Sequence, residues 1–85
     1  MSKYEKLIQS ILSGRQDMAF KFSDLTKLLC AMGFQERIKG SHHIYYRLDI
    51  EEILNIQPNG SNAKPYQVKQ VRNVIIKYGL EVRDE

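Results

Sequence analysis

The chain is poor in the residues that staple small proteins together. Among 85 residues there is one cysteine and no tryptophan. The lone Cys30 excludes an intrachain disulfide and any cysteine-rich metal cluster, and it fits a reducing compartment. It sits off the apolar stripe of its helix with no His–Asp constellation nearby, which argues for a structural thiol over a nucleophile. Glycine-rich phosphate loops and spaced metal ligands are also lacking, so no metal and no cofactor is expected. No apolar run is long enough for a signal peptide or a membrane span, and a soluble, cytoplasmic protein is the expectation. What remains is 42% hydrophobic, enough for one modest core in a single domain.

Charge is modest in total, +3, but uneven along the chain. Residues 57–80 hold Lys64, Lys69, Arg72 and Lys77 and no acid. The acids gather at Asp49, Glu51 and Glu52, and in the tail at Glu81, Asp84 and Glu85. A basic block in a small domain favours an anionic partner; a solvated helix face is the competing reading, and charge alone does not separate them.

Periodicity divides the chain into elements. Tyr4, Leu7, Ile8, Ile11 and Leu12 recur at helical spacing, and Gly14 is a stop signal. Ser23 is the expected N-cap of a second helix, with Leu25, Leu28, Leu29 and Met32 as its apolar stripe and Gly33 just past its end. The period then changes to two. Strands are expected over 34–39, 42–47 and 53–57, with Gly40-Ser41 as one turn and Pro58-Asn59-Gly60-Ser61 as the next. Pro65 suits the first turn of a last helix that buries Val68, Val71, Val74, Ile75 and Tyr78 and shows Lys69, Gln70, Arg72, Asn73 and Lys77 to water. The fold class is α+β: a three-stranded antiparallel sheet packed against helices. Residues 1–20 read as an N-terminal helical extension, and residues 21–82 as the main domain.

The densest chemistry lies in Lys39-Gly40-Ser41-His42-His43-Ile44-Tyr45-Tyr46, which holds both histidines of the chain. A turn fixes where an imidazole points, and an imidazole moves protons near neutral pH. Arg37, Lys39 and Arg47 surround it with positive charge suited to a phosphate. Alternation puts His42, Ile44 and Tyr46 on one strand face and His43, Tyr45 and Arg47 on the other, so the two histidines do not act on one phosphate. One of Tyr45 and Tyr46 is therefore core and the other exposed. For His42 taken alone, a backbone-bonded strand histidine is the more ordinary reading. Gly40-Ser41 is an ordinary hairpin turn that also permits close approach of a phosphate.

Gly40, Ser41, His42 and Tyr45 match a run of Gly-Ser-His, two variable residues, then Phe or Tyr. In this the chain resembles the HicA toxin family of bacterial toxin–antitoxin systems. The resemblance runs from about Ser23 to Leu80. It is nearest to a longer form with Gln57-Pro58 before the last helix and Lys64-Pro65-Tyr66-Gln67 at its start; residues 1–20 have no counterpart in the compact form. It implies a double-stranded-RNA-binding-like fold, cleavage of messenger RNA, and neutralisation by a HicB-like antitoxin protein. It also implies that His42, and not His43, is the catalytic residue. Lys39, Gly40, Ser41 and Arg47 then line the turn, and Lys64, Lys69 and Arg72 position the RNA backbone. Two other readings stand beside this metal-independent endoribonuclease: a non-catalytic RNA-binding module of the same fold, and an adaptor whose basic helix docks an acidic protein.

Overall fold

A computed structural model describes residues 3–82. Asp84 and Glu85 of the acidic tail lie outside the described residues, as does the start of the N-terminal segment. The order is α1 (Lys3–Ser13), α2 (Phe22–Ala31), β1 (Gln35–Lys39), β2 (His42–Tyr46), β3 (Leu54–Ile56), β4 (Pro58–Asn59), β5 (Asn62–Ala63) and α3 (Pro65–Tyr78). The fold is α+β, and from α2 onward its main elements run helix, three antiparallel strands, helix, consistent with the double-stranded-RNA-binding-like expectation. Among the described residues no helix is long and apolar enough to cross a membrane.

The second helix starts one residue before the expected cap. Lys21 is the N-cap, and Ser23 lies inside the first turn. The reason is tertiary. The amide of Phe22 donates to Ser61 O at 3.0 Å, and Ala63 donates to Phe20 O at 2.8 Å, so strand-like bonds to the β5 segment fix the entry of the chain. A side-chain cap is worth only about 0.5–2 kcal/mol. Each fully buried leucine is worth about 1.5–3 kcal/mol, and Leu25, Leu28 and Leu29 are all fully buried. The stripe decides where the helix lies.

The sheet has the order β1-β2-β3. Residues 58–63 depart from a plain turn: Pro58 pairs with Ala63 and Asn59 with Asn62, making a two-stranded ribbon around Gly60-Ser61. In the main sheet Lys39 faces His42, Arg37 faces Ile44, Gln35 faces Tyr46, and Ile44 in turn faces Asn55. Directly opposed residues share a face, so these form one outer face. The inner face carries Tyr45, Leu54 and Ile56, all fully buried with Val68 and Val71 of α3. Of the two tyrosines, Tyr45 is the core residue. Its hydroxyl donates to Glu36, and burial, reinforced by that carboxylate, holds its phenol well above the ordinary range.

The extension packs into the same core. Ile11 is fully buried, and Tyr4, Leu7 and Ile8 pack against the core beside it. Gly14 ends α1 with φ +72°, and a Cβ there would meet the Arg72 guanidinium at 3.4 Å. That guanidinium donates to Ile11 O at 3.1 Å and to Asp17 at 2.9 Å, fastening the end of α1 to α3.

Candidate active site

The β1–β2 hairpin turns on two residues, Gly40 and Ser41, between the paired Lys39 and His42. Gly40 has φ +61°. A glycine at the first central position suits the tight turn whose twist matches the flanking strands. This turn sets the register, and the register sends the His42 side chain to the outer face.

There His42 meets β3. Its Nδ1 lies 3.2 Å from Asn55 Oδ1 and its Nε2 3.0 Å from Gln57 Nε2, while Gln57 Oε1 accepts from Lys64 Nζ at 2.9 Å. One assignment of protons satisfies all three bonds. An amide oxygen only accepts, so Nδ1 carries the hydrogen and donates to Asn55. The lone pair of Nε2 then accepts from the Gln57 amide, whose oxygen accepts from the Lys64 ammonium. The Gln57 nitrogen also lies 2.9 Å from Nδ1, spanning both ring nitrogens, but in this tautomer that contact joins two donors and is not a bond. The chain Lys64–Gln57–His42–Asn55 thus orients the imidazole with Nδ1 as donor and Nε2 as acceptor. His42 is exposed, and exposed bonds net only about 0.5–1.5 kcal/mol each, so a substrate hydroxyl can displace the Gln57 amide.

Gln67 holds this cluster from beneath. It is 2% exposed, on an otherwise apolar side of α3. Its Nε2 donates to Asn55 O at 3.1 Å, and its Oε1 accepts from the backbone N–H of Gln57 at 3.0 Å. One side chain therefore holds both residues that touch His42, Asn55 in β3 and Gln57 just past its end. Asn55, Gln57 and Gln67 were not singled out as site residues from sequence. Alternation along β3 is the signal that could have found Asn55, a polar residue between the buried Leu54 and Ile56.

The remaining expected site residues divide. Lys39, Gly40 and Ser41 are exposed at the turn, and Lys64 reaches it from the start of α3. Lys69 is exposed farther along that helix. Arg47 is not with them. It faces inward, 10% exposed, donating to Met32 O and Asp49 and lying over the Phe34 ring. Arg72 is 16% exposed and engaged by Asp17 and Ile11. Lys77 is paired with Glu52, an arrangement that holds the Lys77 ammonium above its ordinary range; hydrogen bonds from Tyr78 and Lys77 hold the Glu52 carboxyl below its own. Half of the basic block is thus neutralised by acids from distant segments. His43 packs edge-on against Phe22, ring centroids 4.9 Å apart, with its Nδ1 buried and unpartnered. It has the structural position that strand alternation implies.

Among the described residues no group of three or more His, Cys, Asp or Glu side chains could hold a metal ion. The family model described as HicA toxin of bacterial toxin–antitoxin matches residues 22–80, well over half of the chain. No curated protein and no solved structure matches it.

Proposed function

Because the chain belongs to the HicA toxin family, and so is the toxin of a toxin–antitoxin system with an antitoxin as partner, we propose that it is a metal-independent endoribonuclease acting on messenger RNA through His42. The observation that carries this reading is the Lys64–Gln57–His42–Asn55 chain beside the Gly40-Ser41 turn. Asn55 holds the tautomer that leaves Nε2 basic, in the way an orienting group serves any catalytic histidine.

Nε2 removes the proton of a ribose 2′-hydroxyl. The 2′-oxygen attacks the adjacent phosphorus, and the bond to the 5′-oxygen breaks. The products are a 2′,3′-cyclic phosphate and a 5′-hydroxyl. Water at this exposed face protonates the leaving oxygen, and the imidazolium returns its proton to solvent. Lys64 and Lys39 neutralise charge that builds on the phosphorane oxygens. General-base catalysis of this kind is worth about 10²–10⁴ in rate. In this reading residues 21–82 do the RNA chemistry and residues 1–20 brace them.

Backbone binding separates the lysines from Arg72. Lys64→Ala should flatten the salt dependence of RNA affinity by about one phosphate contact. Lys69→Ala should act in the same direction and less strongly. Arg72→Met should leave the salt slope unchanged and lower the melting temperature. A slope that falls with Arg72→Met but not with Lys64→Ala would reverse the assignment.

A HicB-like antitoxin should neutralise the toxin by covering this outer face. Hydrogen exchange of the complex should protect residues 37–46 and 54–57. Protection confined to α1 and the outside of α2 would show inhibition from a distance instead.

A further inference from the structure

The outer face continues past His42. On the same face of β2 come Ile44 and Tyr46, each about 7 Å farther along the strand. Together with Arg37 and Ile53 they line a cavity of about 290 Å³. Ile53 is 64% exposed. Among the described residues nothing covers this apolar spot, although the other face of the sheet sends Tyr45, Leu54 and Ile56 into the core. The Tyr46 hydroxyl donates to Gln35 Oε1 at 3.3 Å, which ties the ring to β1.

From this we infer that Arg37, Ile44, Tyr46 and Ile53 form a base-stacking subsite for single-stranded RNA, taking a nucleobase that neighbours the phosphate cut at His42. The inference rests on the ribonuclease reading of that site. Three observations support RNA as the occupant. The outer-face positions of the sheet carry cations, Arg37 and Lys39, with Lys64 at the border, and no acid. The subsite is continuous with His42 along one strand, so a strand lying across the imidazole passes over it. Its walls have the chemistry that holds unpaired bases: an aromatic ring, a planar guanidinium and two isoleucines on an open sheet. Every base has a flat face, so the subsite sets the placement of the strand and not its sequence.

The test uses a fluorescent decanucleotide with 2′-O-methyl riboses, which keeps its bases and lacks the attacking hydroxyl. Anisotropy gives its affinity for wild type, Tyr46→Ala and Tyr46→Phe. Stacking of one base predicts a loss of roughly 5- to 150-fold for Tyr46→Ala, and wild-type binding for Tyr46→Phe, which keeps the ring. An abasic residue walked along the oligonucleotide should cost wild type the same factor at one position and cost Tyr46→Ala nothing more there. Equal affinity of Tyr46→Ala, or the same abasic penalty in both proteins at every position, overturns the subsite. So does loss of binding to the purified antitoxin with RNA affinity unchanged, which would assign the face to protein. Cleavage of unmodified RNA by His42→Ala, measured in parallel, keeps the two ideas apart. Activity there removes the histidine mechanism and leaves a Tyr46 effect standing; an inactive variant with an unaffected Tyr46→Ala removes only the subsite. No affinity for any RNA removes both.

Discussion

His42→Ala is expected to abolish RNA cleavage and toxicity while leaving the fold and most RNA affinity intact. The side chain is exposed, and its bonds run only to polar groups at the surface. Removing it creates no cavity and orphans no buried atom, so stability should change by less than about 0.5 kcal/mol. Only proton transfer in the transition state is lost, which places the effect in kcat and not in binding. A fall of at least about 10²–10⁴ in rate is expected, and cleavage by wild type should persist in excess EDTA. His43→Ala should do the reverse, costing stability through its contact with Phe22 and sparing the chemistry. Circular dichroism, anisotropy and a gel of labelled RNA separate these outcomes. A folded His42→Ala protein that cuts at the wild-type rate would sink the mechanism. One that binds and never cut in the wild-type form either would be the non-catalytic RNA-binding module.

The second large effect belongs to Gln67. Gln67→Met keeps the volume but removes the Gln67 partner of the Gln57 backbone N–H and of the Asn55 carbonyl. An unsatisfied buried group costs about 1–3 kcal/mol, and for these two part-buried groups a total of about 2–4 kcal/mol is expected. For a domain of this size that lowers the melting temperature by roughly 10 °C or more. Activity measured well below that temperature should also fall, on the order of 10²-fold, because Asn55 and Gln57 no longer hold the imidazole in place. Affinity for uncleavable RNA should barely move. Melting at the wild-type temperature would show that Gln67 does not fasten α3 to β3.

Which features were legible follows from the range of the bonds behind them. The stripe Leu25, Leu28, Leu29, Met32 is a local periodicity, and it is buried as read. The strand faces were legible for the same reason: alternation alone put His42 and Tyr46 opposite His43 and Tyr45. Ser23 had every local mark of a cap, yet the helix starts before it, and the Leu25 amide it would have served donates to Lys21 O. Arg72 fell on the polar arc of α3 and looked free, because its partner Asp17 lies 55 positions away. Gln67 was unreadable in the same sense. An amide on a helix signals a solvated position unless one knows which strand will lie against it. Local patterns predict which way a side chain points, and they are silent on what meets it there.

The Arg72 clamp bears on where this protein can be divided. Family resemblance begins at residue 22, yet packing does not respect that border. Cutting the chain there would strip Ile11 from the core and leave a partly buried guanidinium with neither Asp17 nor the Ile11 carbonyl. The extension thus behaves as a tenon in a mortise and not as a tail. A change at Asp17 or Ile11 bears on α3, whose cap residue Lys64 and first-turn Gln67 hold the groups around His42. Substitutions in a segment outside the family match are therefore expected to reach the candidate site through α3.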